Sequence, residues 1–147
     1  MPEKETLRRA RQDKREGKSA STQAGEFVRE EIEHIRHGKH GARSTKQAIA
    51  IGLSKARRSG VKLPPPEKGE APASTRRSAK QALKRSGKKV SATRSRAAEK
   101  ALKKEPRAAA SKTALSRQAH RAAGKRTAKE RSASAKKAAR TRAHHAA

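Results

Sequence analysis

Large apolar side chains recur at helical spacing only in the first 63 residues. The best-specified stretch runs from Gly41 to Gly60. Ser44 can cap a first turn through its hydroxyl, and Gln47, three residues later, can reach back toward the cap. Ile49, Leu53 and Ala56 follow at spacings of four and three and share one face, with Ile51 widening the apolar sector. Arg57 and Arg58 in the last turn suit the helix dipole, and Gly60 permits a left-handed stop. Upstream, Ala24, Val28, Ile32 and Ile35 form a stripe flanked by Phe27. They predict a helix from about Gln23 to about His37, capped by Ser21 or Thr22. Residues 3 to 16 form a charged helix candidate whose apolar stripe is Leu7 and Ala10, with Gly17 as its stop.

Charge sharpens this picture. The second helix carries Glu26, Glu30, Glu31 and Glu33, whereas the third carries Lys46, Lys55, Arg57 and Arg58. An antiparallel hairpin buries both stripes and places opposite charges together. Helix one and Val61-Lys62-Leu63 are available to cover its open side. The expected fold class is therefore mainly α, a small helical hairpin or three-helix head over residues 1–63. Its core is thin, so weak self-association through the head is expected.

Pro64-Pro65-Pro66 ends the head and opens a proline-rich linker over residues 64–72. Beyond it, residues 73–147 are built mostly of Ala, Lys, Arg, Ser and Thr. Ala-Leu recurs at 82–83, 101–102 and 114–115 without a fixed period, punctuated by Gly87, Pro106 and Gly124. Residues 67–147 hold 25 Lys and Arg against 5 Glu, a net +20. Ala and Lys favour helix, but repulsion among the cations opposes it. The expected state is a largely disordered cationic tail with helix-forming segments that fold when a polyanion neutralises them.

The whole chain has 147 residues, 41 Lys and Arg against 13 Asp and Glu, and a formal net charge of +28. A charge of that size calls for a polyanion, nucleic acid first. There is no Cys, which excludes disulfides and thiolate sites. No apolar run approaches a membrane span or a signal-peptide core, so a cytoplasmic location is expected. The phosphate-contacting candidates are Arg43, Lys46, Lys55, Arg57, Arg58, Arg76, Arg77, Lys80, Lys84, Arg85, Lys88, Lys89, Lys103, Lys104, Lys125, Arg126, Lys136 and Lys137. Ser44, Thr45, Lys46 and Gln47, at the start of helix three, could meet phosphate or a base edge. With 1% aromatic residues the chain has no platform for stacking bases, which argues against single-strand and RNA-recognition modes.

Catalysis finds no support: no nucleophile has a plausible base and acid around it, and no Gly-rich phosphate loop follows a strand. No catalytic residue and no cofactor are expected. His34, His37 and His40 stand three apart, with Glu31 three before His34. They read as surface histidines closing an acidic helix, and His144-His145 has less support still, so no metal is expected.

The run from Gly25 to Gly60, with Lys46-Gln-Ala-Ile-Ala-Ile-Gly-Leu-Ser54 at its centre, resembles a family of small basic bacterial proteins of unknown function. Its members are often loosely labelled DNA-binding or plasmid stabilisation. The resemblance covers about residues 1–66, implies a bacterial source and brings no catalytic residues. The tail is similar in composition to the Lys/Ala-rich C-terminal arms of linker-histone-like proteins. Together these lead to the expectation of a nucleoid-associated, histone-like protein that binds duplex DNA independently of sequence. The alternatives are a protein-interaction module whose head docks a partner or itself, and an RNA- or ribosome-associated basic protein. Membrane binding is not expected.

Overall fold

The structure, a computed structural model, describes residues 1–146. These form seven α-helices and one 3-10 turn, with no β-strand among the described residues. None of the described helices is long and apolar enough to cross a membrane. The chain divides into two compact units, Met1–Ser111 and Lys112–Ala147.

The first three helices are α1 (Lys4–Arg15), α2 (Ala20–Arg36) and α3 (Thr45–Arg58). Their ends have local causes. After α1, Gly17 takes φ +74°, and the Lys18 N–H donates to the Asp13 carbonyl at 2.9 Å. The cap of α2 is Ser19, whose Oγ accepts the Thr22 N–H at 3.3 Å, so the expected caps Ser21 and Thr22 lie inside the helix. The earlier start comes from the turn before it. There the Lys18 ammonium sits 2.8 Å from Asp13 and the Gln23 amide donates to the Lys18 carbonyl at 2.9 Å. Ser44 caps α3 by accepting the Gln47 N–H at 3.1 Å, and the Gln47 side-chain oxygen accepts the Arg43 N–H at 2.6 Å.

The face that α3 presents to α2 is not the expected Ile49–Leu53 stripe. Thr45, Ala48, Gly52 and Ala56, spaced three, four and four, are buried, while Ile49, Ile51 and Leu53 stay half-buried at the edges. Close approach is the reason. A Cβ on Gly52 would stand 2.6 Å from Val28 Cα and 2.9 Å from Val28 N, so α3 lies directly on the α2 backbone. On α2 the buried apolar residues are Ala24, Phe27, Ile32 and Ile35. Phe27, expected as a flank, is 1% exposed and packs with Ala10, Ala24, Ala56 and Val61, with Leu7, Leu53 and Leu63 around them.

The expected disordered tail is corrected by the structure, which is helical along the tail: α4 (Ala73–Lys84), α5 (Ala92–Lys103), a 3-10 turn (Ala108–Ala110), α6 (Lys112–Gly124) and α7 (Ala128–Ala146). Two effects outweigh cation repulsion. Alanine, lysine and arginine have high intrinsic helix propensity. Alanine is also small enough to dock. Ala79 and Ala82 are buried in α4, which packs on α3, and the Gly87 N–H donates to the Arg58 carbonyl at 2.9 Å.

The 3-10 turn packs against α2 and α3. Arg36 donates to the Ala110 carbonyl at 2.9 Å and Thr45 Oγ1 to the Ala109 carbonyl at 2.7 Å. Gly41 and Ala42 donate their N–H groups to the carbonyls of Leu102 and Pro106 at 2.9 and 3.0 Å. Only glycine fits at position 41, because a Cβ there would collide with the Glu105 carbonyl.

The second unit is held by its helix ends. Thr127 and Glu130 form a reciprocal capping box at the start of α7: Thr127 N–H to Glu130 Oε2 at 2.7 Å, and Glu130 N–H to Thr127 Oγ1 at 3.2 Å. The Arg131 guanidinium donates to the carbonyls of Ala123 and Arg126, at 3.2 and 2.6 Å, closing the C-terminal end of α6.

The close crossing yields a pair of opposite effects. Gly52→Val should lower stability by about 1–3 kcal/mol through overpacking against α2. Gly25 is exposed on α2 with nothing within 4 Å of its Cβ position, so Gly25→Ala should raise stability. The gain should be about 0.5–1 kcal/mol, the helix-interior difference between the two residues. Urea unfolding followed by helical circular dichroism reads both, and unchanged midpoints would disprove the packing of α3 on α2.

Candidate nucleic-acid interface

Exposed cations gather most densely in two places. On α1, Lys4, Arg8, Arg11 and Arg15 follow at spacings of four, three and four and form one exposed stripe. The buried positions Thr6, Ala10 and Asp13 occupy the opposite face. None of these four cations was among the sequence candidates, although their spacing is legible in the sequence. Of the stripe, Arg8 pairs with Glu5 at 3.2 Å.

The second place is the region beyond the proline linker. Helices α5, α6 and α7 bury no residue. Among the described residues, the one ion pair beyond residue 66 joins Lys103 and Glu99 at 3.0 Å. That contact holds the Glu99 carboxyl below the ordinary carboxylate range. Arg77, Lys80, Lys84, Arg85, Lys88, Lys89, Lys104, Lys125, Lys136 and Lys137 are exposed. Arg126 is also exposed but donates to the Glu130 carbonyl at 3.1 Å and to Ser134 Oγ. Arg76 is half-buried.

Of the candidates on or near α3, Arg43, Lys46 and Arg58 are exposed. Lys55 and Arg57 are engaged within the fold. Lys55 ion-pairs with Glu31 of α2. Arg57 is 6% exposed, and its guanidinium donates to the carbonyls of Leu63 and Pro64 at 3.1 and 3.0 Å, tying the proline segment to α3. Burial lowers the Arg57 pKa. The α3 N-terminus is also occupied: Thr45 is buried against Ala109, and Gln47 holds the Arg43 N–H. Of the four residues expected to meet phosphate or base edges there, Ser44 and Lys46 remain exposed.

Two of the four acids of α2 turn inward, whereas Glu33 is exposed and pairs with Arg29. Glu30 and Glu31 are buried. Glu30 Oε2 accepts the Glu3 N–H at 3.1 Å at the start of α1, where an anion suits the helix dipole. Glu31 faces Lys55 through Oε1 and His40 Nε2 through Oε2, the latter at 3.1 Å. His34 Nε2 and Lys39 Nζ each reach Glu3 Oε1 at 2.9 Å. These two contacts hold the Glu3 carboxyl down to about 2. His34 and His40 are half-buried and part of this cluster, whereas His37 is exposed. The sequence spacing linked Glu31 and three histidines; the fold keeps Glu31, His34 and His40 together and leaves His37 outside.

Residues 11–68 match a family of unknown function (DUF6496). The matched stretch contains α2, α3 and the charge cluster apart from Glu3, and the cationic region beyond residue 68 lies outside it. No curated protein and no solved structure matches the chain.

The two neighbouring arginines at the end of α3 should separate structural from surface charge. Arg57→Ala strands two carbonyls and should cost about 2–3 kcal/mol of stability. Arg58→Ala should stay within about 0.5 kcal/mol of the parent. Thermal unfolding of the full chain measures both, and equal losses would show that Arg57 has no special anchoring role.

Proposed function

We propose that this chain binds nucleic acid, duplex DNA foremost, by neutralising phosphates without reading bases, as a histone-like protein of the bacterial nucleoid. The observation that carries the reading is the exposed, largely unpaired positive charge beyond Pro66: 25 Lys and Arg with a single described ion pair. The exposed stripe on α1 adds to it. Such surfaces gain affinity by releasing condensed counterions from the phosphate backbone, a term indifferent to sequence. Engagement of the α3 N-terminus by Ala109 and Arg43 favours this over readout by a recognition helix. Helices formed before binding also reduce the ordering cost at the moment of contact.

Two observations weigh on the alternatives. The exposed large hydrophobic residues among those described are Met1 and Val90, so the apolar faces of the head are covered by its own chain and offer little to a protein partner. The near absence of aromatic residues leaves RNA with phosphate contacts alone.

A salt titration on two unrelated duplexes tests the proposal. If about half of the tail cations engage, log K should fall against log salt with a slope of roughly −11. Truncation after Ser111 removes 11 of the 25 Lys and Arg beyond residue 66. The slope should then drop to roughly −6. Both duplexes should bind alike. An unchanged slope after truncation, or a strong preference for one duplex, would overturn the reading.

A further inference from the structure

The seam between α2 and α3 holds two histidines whose ring nitrogens are already committed on one side. His40 Nδ1 lies 2.9 Å from the Gly41 carbonyl, which can only accept, so Nδ1 carries the proton. His34 Nε2 lies 2.9 Å from Glu3 Oε1, a carboxylate oxygen shared with Lys39, so Nε2 donates there. This hydrogen-bond pattern assigns the tautomers and leaves His40 Nε2 and His34 Nδ1 as lone pairs. Both face Glu31: His40 Nε2 is 3.1 Å from Oε2, and His34 Nδ1 is 3.9 Å from Oε1. The Glu31 side chain is 1% exposed, and its Oε2 is buried without a hydrogen-bond donor, while Oε1 pairs with Lys55. A lone pair facing a bare carboxylate oxygen at that distance is repulsive unless a cation lies between them. A proton on His40 would relieve one contact and leave His34 Nδ1 unused.

We propose that Glu31, His34 and His40 bind a divalent transition-metal ion of the zinc class. The donor atoms of the three side chains lie within 4.8 Å of one another. A tetrahedral ion with bonds of ~2.0–2.1 Å holds its ligands about 3.4 Å apart, close to the 3.1 Å between His40 Nε2 and Glu31 Oε2, and His34 Nδ1 completes the set by moving toward them. Two imidazoles and a carboxylate are a nitrogen–oxygen set that suits zinc and its neighbours rather than calcium or magnesium. Each histidine also has the outer-shell partner that metal-bound imidazoles use, a carboxylate for His34 and a backbone carbonyl for His40.

Three protein ligands leave a fourth position to water. The ion would fasten α2 to the loop whose Gly41 and Ala42 N–H groups hold Leu102 and Pro106, so its effect is to stiffen the first unit. Metal binding at this cluster does not depend on the proposed nucleic-acid binding.

The test uses the full chain, freed of metal by chelation and titrated with Zn²⁺ by calorimetry and with Co²⁺ by visible absorption. The expected result is one ion per chain at micromolar affinity or tighter, an intense tetrahedral Co²⁺ spectrum and a raised Tm. His34→Ala and His40→Ala should each weaken binding at least tenfold and abolish the Tm rise. His37→Ala and the His144→Ala/His145→Ala pair should bind as the parent does. If either ligand variant loses its helical signal, His34→Gln or His40→Gln, which keep a polar side chain in place, decide the matter. Absence of saturable binding, or binding that survives in both ligand variants, would overturn the site.

Discussion

The approach of α3 to the backbone of α2 at Gly52 governs most of the head's architecture. With no side chain at that position, the two helices cross with Val28 against Gly52. This brings Lys55 to Glu31 and turns a row of small residues, rather than the bulkier isoleucines, into the contact face. A bare carboxylate buried like Glu31 would cost several kcal/mol. It is tolerable because the same crossing delivers the ammonium of Lys55. Dispersion between closely packed small residues replaces the larger apolar burial that the chain cannot supply.

Charge is sorted by this arrangement. The acids of the chain are concentrated before residue 67, and in α2 three of the four turn toward α1, α3 and the connecting loop. Glu26 reaches Arg9, Glu30 reaches the start of α1, and Glu31 reaches Lys55 and His40. Part of the α2 charge is thereby taken up inside the head, while exposed cations remain on α1, at Arg43, Lys46 and Arg58, and on the helices beyond the linker. Segregation of this kind raises the positive surface potential above what the net charge alone implies. Arg57 is the exception among the cations: its guanidinium, stripped of water, replaces hydration with two backbone carbonyls.

Much of the local structure was legible in the residues. Ser44, Gly17, Gly60, Gly87, Pro106 and Gly124 mark helix boundaries near where they occur, because caps and breakers act on backbone groups within about four residues. The Thr127–Glu130 capping box and the α1 cation stripe carry equally local signals. The opposite charges of α2 and α3 also foretold their pairing. Three features were not legible: the burial of Phe27 rather than Val28, the engagement of Lys55 and Arg57, and the helical state of the tail. Periodicity names an apolar sector but not which part of it meets the neighbour, and a net charge does not say which cations are already paired.

The helix boundaries, the helical class and the excess of cations are thus properties of the residues themselves. They arise from propensity, capping and composition, which operate over a few residues or over none. The face of contact and the charge cluster came only with folding. His34 meets Glu3 across 31 positions, and Arg36 meets the Ala110 carbonyl across 74. Such meetings depend on how closely two backbones can approach. At Gly41 and Gly52 that distance is set by the absence of a side chain, and the opposing backbone becomes known only once the chain has folded.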